Sequence, residues 1–247
     1  MKTIHLNKVL AIAQVKTKAF MGKNCIIMPV FALGFTLLMK FLYSKMGSSS
    51  SPESLNAYVL SMGLVMNIGM TGIYCPCLLL AEEKEKKTLR VLMTSSVNGL
   101  EFFLGSILPV FIVTVILNYI LMPIIGFIIT GSNLVLFTIV SVISSLISCI
   151  IGMILGIFAK NQVSAGTLMT PVLMIFIFIP IFSEIIKSLA DISKFMFTGI
   201  LMEMTMNMAS NPDKILNVGS IAIMLAEVIL SIFVFLFFYK KNGFEKD

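Results

Sequence analysis

The sequence has no tryptophan, one histidine (His5) and one arginine (Arg90), and only 12% of its residues are charged. Soluble domains carry about a quarter charged residues, so this scarcity excludes an ordinary water-soluble globule. A lone histidine excludes a histidine-based metal or acid–base centre. No GxxxxGK[ST] run is present: Gly22-Lys23 lacks the upstream glycine and is followed by Asn24, which leaves out the loop that cradles a nucleotide phosphate. The four cysteines, Cys25, Cys75, Cys77 and Cys149, all lie in apolar runs. Cys75-Pro76-Cys77 has no second Cys/His pair to complete four ligands, so no zinc site is expected and the thiols read as small apolar residues. No secretory leader is expected either: the first 24 residues hold five lysines and no apolar core ahead of a small-residue cleavage site. Catalysis and nucleic-acid binding are therefore not expected, and the net charge of +6 reads as lysines flanking membrane spans.

Apolar residues dominate instead: 58% of the chain, with a mean hydropathy of +1.02. A spanning helix needs about 20 apolar residues. Six runs qualify: Cys25–Tyr43, Ala57–Ala81, Phe102–Thr130, Leu134–Ala159, Leu168–Ile186 and Ile221–Tyr239. The expected fold is an all-α polytopic membrane protein, one transmembrane domain over 1–247. Lys40, near the end of the first run, is placed to snorkel. Pro171 and Pro180 predict a kinked or broken fifth helix. Gly131-Ser132-Asn133 reads as a tight turn between the third and fourth. Residues 1–23 read as an amphipathic helix on the membrane surface: Leu6, Val9, Leu10, Ala13, Thr17 and Phe20 share a face, with Asn7, Gln14 and Lys18 opposite. Thirteen basic residues fall on one side of the membrane and five on the other, which puts both termini in the cytoplasm. The 183–217 segment then lies outside, read as short amphipathic helices dipping into the outer leaflet.

Two intramembrane features stand out. Glu227 sits inside the sixth run, where an acid is costly and faces either protein or a water-filled cavity. Those two readings, a structural acid and a translocation-cavity residue, both stay open. Gly152 and Gly156 form a GxxxG that permits close helix packing. No wide polar set suggests a sugar or ion path, while 20 Phe and 19 Met suit apolar or amphipathic ligands such as peptides, lipid-like molecules or drugs.

The long charged stretch runs Glu82–Ser106, EEKEKKTLRVLMTSSVNGLEFFLGS. Glu82 with Lys86, and Glu83 with Lys87, are spaced i,i+4 with the acid first, so the second helix is expected to continue past the membrane with solvated ion pairs. Leu89, Leu92 and Met93 fall on one face of a short helix. Asn98-Gly99 is a strong turn signal, and helix resumes at Leu100–Leu104. Residues 82–101 thus form a cytoplasmic hairpin whose apolar stripe needs a cover, most simply a partner protein.

This stretch resembles the segment between the second and third spans of the ABC-2 type permeases, the membrane subunits of ATP-binding-cassette exporters. Their pattern is roughly E-[KR]-E-x-G-T-L-x-x-L-x-x-[TS]-P-[VL]-x-x-x-E-[FY]-x-x-G-K. Glu83, Lys84, Glu85, Thr88, Leu89, Leu92, Thr94, Val97, Glu101, Phe102 and Gly105 match in register, and Lys87, Ser96 and Ser106 stand where Gly, Pro and Lys are usual. The resemblance implies a half-transporter pairing with a second permease copy or a relative, above two separate ABC ATPase subunits. It implies an ATPase-coupling hairpin of Glu83, Lys84, Glu85, Thr88, Leu89, Leu92, Met93, Thr94, Glu101 and Phe102. ATP and magnesium belong to the partner ATPase, with no cofactor in this chain, and the setting is a bacterial plasma membrane. Two other classes fit the residues alone: an ATP-independent secondary transporter or channel using Glu227, and a membrane docking or sensor protein.

Overall fold

The computed structural model describes residues 5–45, 51–87, 99–211 and 215–241. All regular structure among these is helical. Six helices are long and apolar enough to cross a membrane: span 1 (Cys25–Lys45), span 2 (Pro52–Glu85), span 3 (Gly99–Ile125), span 4 (Gly131–Phe158), span 5 (Gln162–Ser183) and span 6 (Val218–Tyr239). Three shorter helices join them: α1 (Leu6–Phe20), α2 (Lys187–Ser193) and α3 (Phe197–Ser210). The chain is a multi-pass membrane protein.

Span 2 is the axis of the bundle and the most enclosed helix, whereas spans 1 and 6 expose most of their apolar surface. Its first part, Pro52–Asn67, starts at Ser51, whose hydroxyl accepts the Ser54 amide at 3.3 Å. The middle, Ile68–Tyr74, widens into a π-helix, and Cys75–Glu85 is α-helical again. Gly152 and Gly156 set the approach of span 4: a Cβ on Gly152 would lie 2.3 Å from the Ile73 carbonyl oxygen, and one on Gly156 2.9 Å from the Leu80 side chain. The GxxxG is therefore spent on packing within the chain.

Several local expectations change. Span 3 ends five residues early, at Ile125, because Gly126 takes a φ of +83° and, like Phe127, hydrogen-bonds back to the Met122 carbonyl, a helix stop that glycine favours. Residues 127–130 have no regular structure, with Phe127 and Ile129 buried, and Gly131-Ser132-Asn133 is the first turn of span 4 rather than the connection. Span 5 runs unbroken through Pro171 and Pro180. Thr170 and Ser183 donate their hydroxyls to the carbonyls of Gly166 and Pro180 within the same helix. The Lys40 ammonium turns to the Ile124 carbonyl at 2.8 Å and closes the end of span 3. In the 183–217 segment, α2 is largely exposed, but α3 buries Phe197, Ile200, Leu201, Met202, Met204 and Met208 against the first part of span 2 and its neighbours. α3 thus packs on the protein along most of its surface. Its apolar residues cover too much of the helix surface to be left to one lipid-facing stripe, and flexible methionines fill the irregular space.

Candidate functional site

Of the residues singled out in the charged stretch, Thr88, Leu89, Leu92, Met93 and Thr94 lie outside the described residues. Glu83, Lys84, Glu85, Glu101 and Phe102 lie within them, at the two roots of the 82–101 connection. The structure brings all five against other elements.

α1 spans both roots. It lies on the start of span 3, where a Cβ on Gly105 would meet Ile12 at 2.7 Å. That close approach buries Val9, Ile12, Ala13, Lys16 and Phe20. The face expected for lipid is divided: Val9, Ala13 and Phe20 are covered by protein, Leu6, Leu10 and Thr17 are exposed, and Lys16 is only 1% exposed. The Lys16 ammonium pairs with the Glu83 carboxylate and sits 4.7 Å from the centre of the Phe102 ring. Burial pushes Lys16 below the usual lysine range, and Glu83 pulls it back. One turn before Lys8, the His5 amide donates to the Glu101 carboxylate at 2.8 Å, and Glu101 is itself buried. A single amphipathic helix thus holds the acid at the end of span 2 and the acid at the start of span 3. Removing one member of a buried ion pair costs about 3–5 kcal/mol, because the other charge is stranded.

The next two residues hold a different corner. The Lys84 ammonium donates to the carbonyls of Gly156, Ile157 and Ala159 at 3.0, 2.5 and 3.0 Å, the terminal carbonyls of span 4. The Glu85 carboxylate accepts the Gln162 amide at 3.1 Å, the first amide of span 5. A cation at a helix C-terminus and an anion at an N-terminus both match the helix dipole. Asn161 completes the corner with a capping box to Ser164.

Only one of the two expected i,i+4 pairs forms. Glu82 pairs with Lys86, whereas Glu83 turns to Lys16. Lys87 is the C′ residue of span 2, with φ of +56°, the left-handed conformation that glycine adopts freely and other residues resist. That is the position where the ABC-2 pattern has glycine. Here a lysine bears that strain. Lys16 went unnoticed in the sequence, although Ile12, Ala13, Lys16 and Phe20 share one helical face and so place a lysine among apolar neighbours.

Glu227 lies at the opposite end. One carboxylate oxygen accepts the Phe197 amide at 3.2 Å, the first amide of α3; the other is buried with no hydrogen-bond partner. Its visible work is to fasten α3 to span 6.

A polar cluster crosses the centre of the bundle. The Asn67 side-chain amide donates to the Thr114 carbonyl at 2.9 Å and to the Asn118 side-chain oxygen at 2.8 Å. Asn118 passes the chain on to Ser141 at 2.8 Å, and Ser145 donates to the Ser141 carbonyl. Thr71 and Ser144 are also fully buried. Their hydroxyls, and the Asn67 side-chain oxygen, have no hydrogen-bond partner. An unpaired buried polar group costs about 1–3 kcal/mol. No wide polar set is apparent from the sequence, yet packing gathers one. The cluster is enclosed rather than open to a path, so it adds hydrogen bonds between spans 2, 3 and 4 and no channel.

Between spans 1 and 5 lies an apolar groove of about 410 Å³, lined by Ile27, Phe31, Met70, Tyr74, Met174 and Phe178 among others. Its floor is the π-helical part of span 2. No group of three or more His, Cys, Asp or Glu placed to hold a metal occurs among the described residues.

Six apolar spans, with charged side chains gathered at the roots of one connection, define a multi-pass membrane component. The model of the ABC-2 family transporter proteins matches residues 33–239, and the chain belongs to that family. It is a membrane permease of an ABC transporter, the transmembrane component and not the ATPase. No curated protein matches it in sequence. The matched range leaves out α1, the element that holds Glu83 and Glu101.

Proposed function

We propose that the chain is the permease subunit of an ABC exporter in a bacterial plasma membrane, with both termini and the 82–101 connection in the cytoplasm. Two ABC ATPase subunits bind beneath it, carrying ATP and magnesium, and a second permease copy or paralogue completes the pathway. The connection is the coupling hairpin. Leu89, Leu92 and Met93 dock on the ATPase, flanked by Thr88 and Thr94. Glu83, Lys84, Glu85, Glu101 and Phe102 pass its displacement to spans 2 to 5. The observation that carries this reading is that every one of those five roots is tied to an element distant in sequence. A push on the hairpin is therefore felt at α1 and at the span 4–span 5 corner together. The driving free energy comes from ATP contacts that differ between states of the partner, not from this chain.

The cargo is an amphipathic or hydrophobic molecule: a peptide, a lipid-like compound or a drug. The apolar groove between spans 1 and 5 supports this, being lined by adaptable methionines and aromatic rings. The exposed side of α1, with Leu6, Leu10 and Lys18, meets membrane lipid. Glu227 is a structural acid in this reading, and an ATP-independent mechanism built on it lacks support, because its hydrogen bond serves the α3 terminus.

The test is co-purification with the ATPase, followed by ATPase assay. Leu89→Asp with Leu92→Asp is expected to release the ATPase or to uncouple it from the permease. A partner that stays bound and coupled overturns the docking role.

A further inference from the structure

The π-helical segment Ile68–Tyr74 divides span 2 into two halves. One half lies under α3; the other carries Glu83 and Lys84 near its end at Glu85. π-Helices are rare, usually a single wide turn, and frequent at functional sites. Seven residues in this form need compensation from their surroundings, and the neighbours are shaped to it. A Cβ on Gly72 would stand 2.1 Å from the Ser148 hydroxyl oxygen, and one on Gly69 2.6 Å from the Ile177 side chain. The segment thus presents smooth faces to spans 4 and 5. At the same level, three fully enclosed polar atoms are left without partners: the Asn67 side-chain oxygen and the hydroxyls of Thr71 and Ser144. Buried polar groups are normally paired, so this arrangement leaves hydrogen-bonding capacity unused at the place where the helix is irregular.

We propose that Ile68–Tyr74 is a register switch: span 2 alternates between the π-helical turn seen here and a continuous α-helix, and the polar cluster re-pairs when it does. Closing the wide turn removes one residue's worth of slack. It turns one half of span 2 relative to the other by about 100° and shifts it by about 1.5 Å. The two arrangements oppose each other through different costs. The π form keeps the Gly72–Ser148 contact and leaves three polar atoms unpaired. The α form restores regular backbone pairing and re-aims Thr71 toward new partners. Two packings with such offsetting costs make a bistable element. Because the inner half carries Glu83 and Lys84, the turn converts a movement of the connection into a rotation next to the apolar groove.

The experiment has two arms, and only the first rests on the ABC-permease reading. In the complex with its ATPase, structures are determined in lipid nanodiscs without nucleotide and with ATP held by a hydrolysis-deficient ATPase. The proposal expects α-helical pairing across 68–74 in one state, with Cys77 turned about 100° relative to Asn67. The same π-helical pairing in both states, with span 2 moving as a rigid rod, overturns it. The second arm uses the permease alone. Deleting Met70, which lines the groove, takes one residue out of the wide turn and so asks whether α-helical pairing across 68–74 fits its surroundings without turning the two halves. The deletion variant is expected to stay folded, with a melting midpoint close to that of Met70→Ala. Collapse of the deletion variant while Met70→Ala stays folded overturns the switch. Failure to recover any ATPase counts against the permease–ATPase reading and leaves this second arm decisive.

Discussion

α1 at one end of the bundle and α3 at the other each lay a face on a spanning helix, but α1 does so around a buried charge and α3 through apolar contact. The Lys16–Glu83 pair admits one arrangement, because in a low-dielectric site a small separation strands both ions. The α3 interface, rich in Met202, Met204 and Met208, adheres over a broad area and depends little on any one orientation. Its polar fastening is the Glu227 bond to the Phe197 amide. The comparison separates two jobs. Charge fixes where an element sits and makes it report movement of its partner. Apolar burial holds an element down.

This contrast can be broken in order of expected effect. Glu83→Ala strands Lys16 and is expected to cost about 3–5 kcal/mol, read as a fall in melting midpoint. The double change Lys16→Met with Glu83→Leu should regain most of that stability. If the double variant is as unstable as the single one, the pair is not the fastening of α1. Leu201→Ala in α3, at a fully buried site, is expected to cost roughly 2–5 kcal/mol, with no recovery from any charge partner. Glu227→Ala removes a helix cap and should cost about 1 kcal/mol. Glu227→Gln keeps an oxygen for the Phe197 amide and should retain assembly and transport; a transport loss at normal stability would return Glu227 to the pathway. Lys87→Gly is the smallest effect and the one of opposite sign. It relieves a left-handed residue and should raise stability by up to about 1 kcal/mol. No rise, or a fall, would mean that the Lys87 side chain makes a contact worth more than the strain.

Much of the fold was legible because membrane spans are declared by local composition. Six apolar runs were enough for six helices; their ends shifted, as at Ile125 through Gly126, and the break expected at Pro171 and Pro180 did not occur. The charged stretch was legible as a special region for the same reason. What each charge touches was not. Lys16 lies far from Glu83 in sequence, and His5 reaches Glu101 across 96 residues; no period or spacing encodes such pairs. Reading Glu83 with Lys87 followed the local rule, and the distant partner won because it is buried while Lys87 ends the helix. The polar cluster was hidden for a different reason. Asn67, Thr114, Asn118 and Ser141 are scattered singly through strongly apolar helices, and only packing gathers them.

The corner between spans 4 and 5 has one more implication. Lys84 grips the carbonyl end of the helix that arrives, and Glu85 the amide end of the helix that departs. The sign of each neighbour is therefore set by the pole it meets: a cation at the negative end of span 4 and an anion at the positive end of span 5. A chain with the two letters exchanged would have the same composition, hydropathy and net charge, yet each charge would face a pole of its own sign. Here the order of two letters, which no composition measure registers, is what closes the joint.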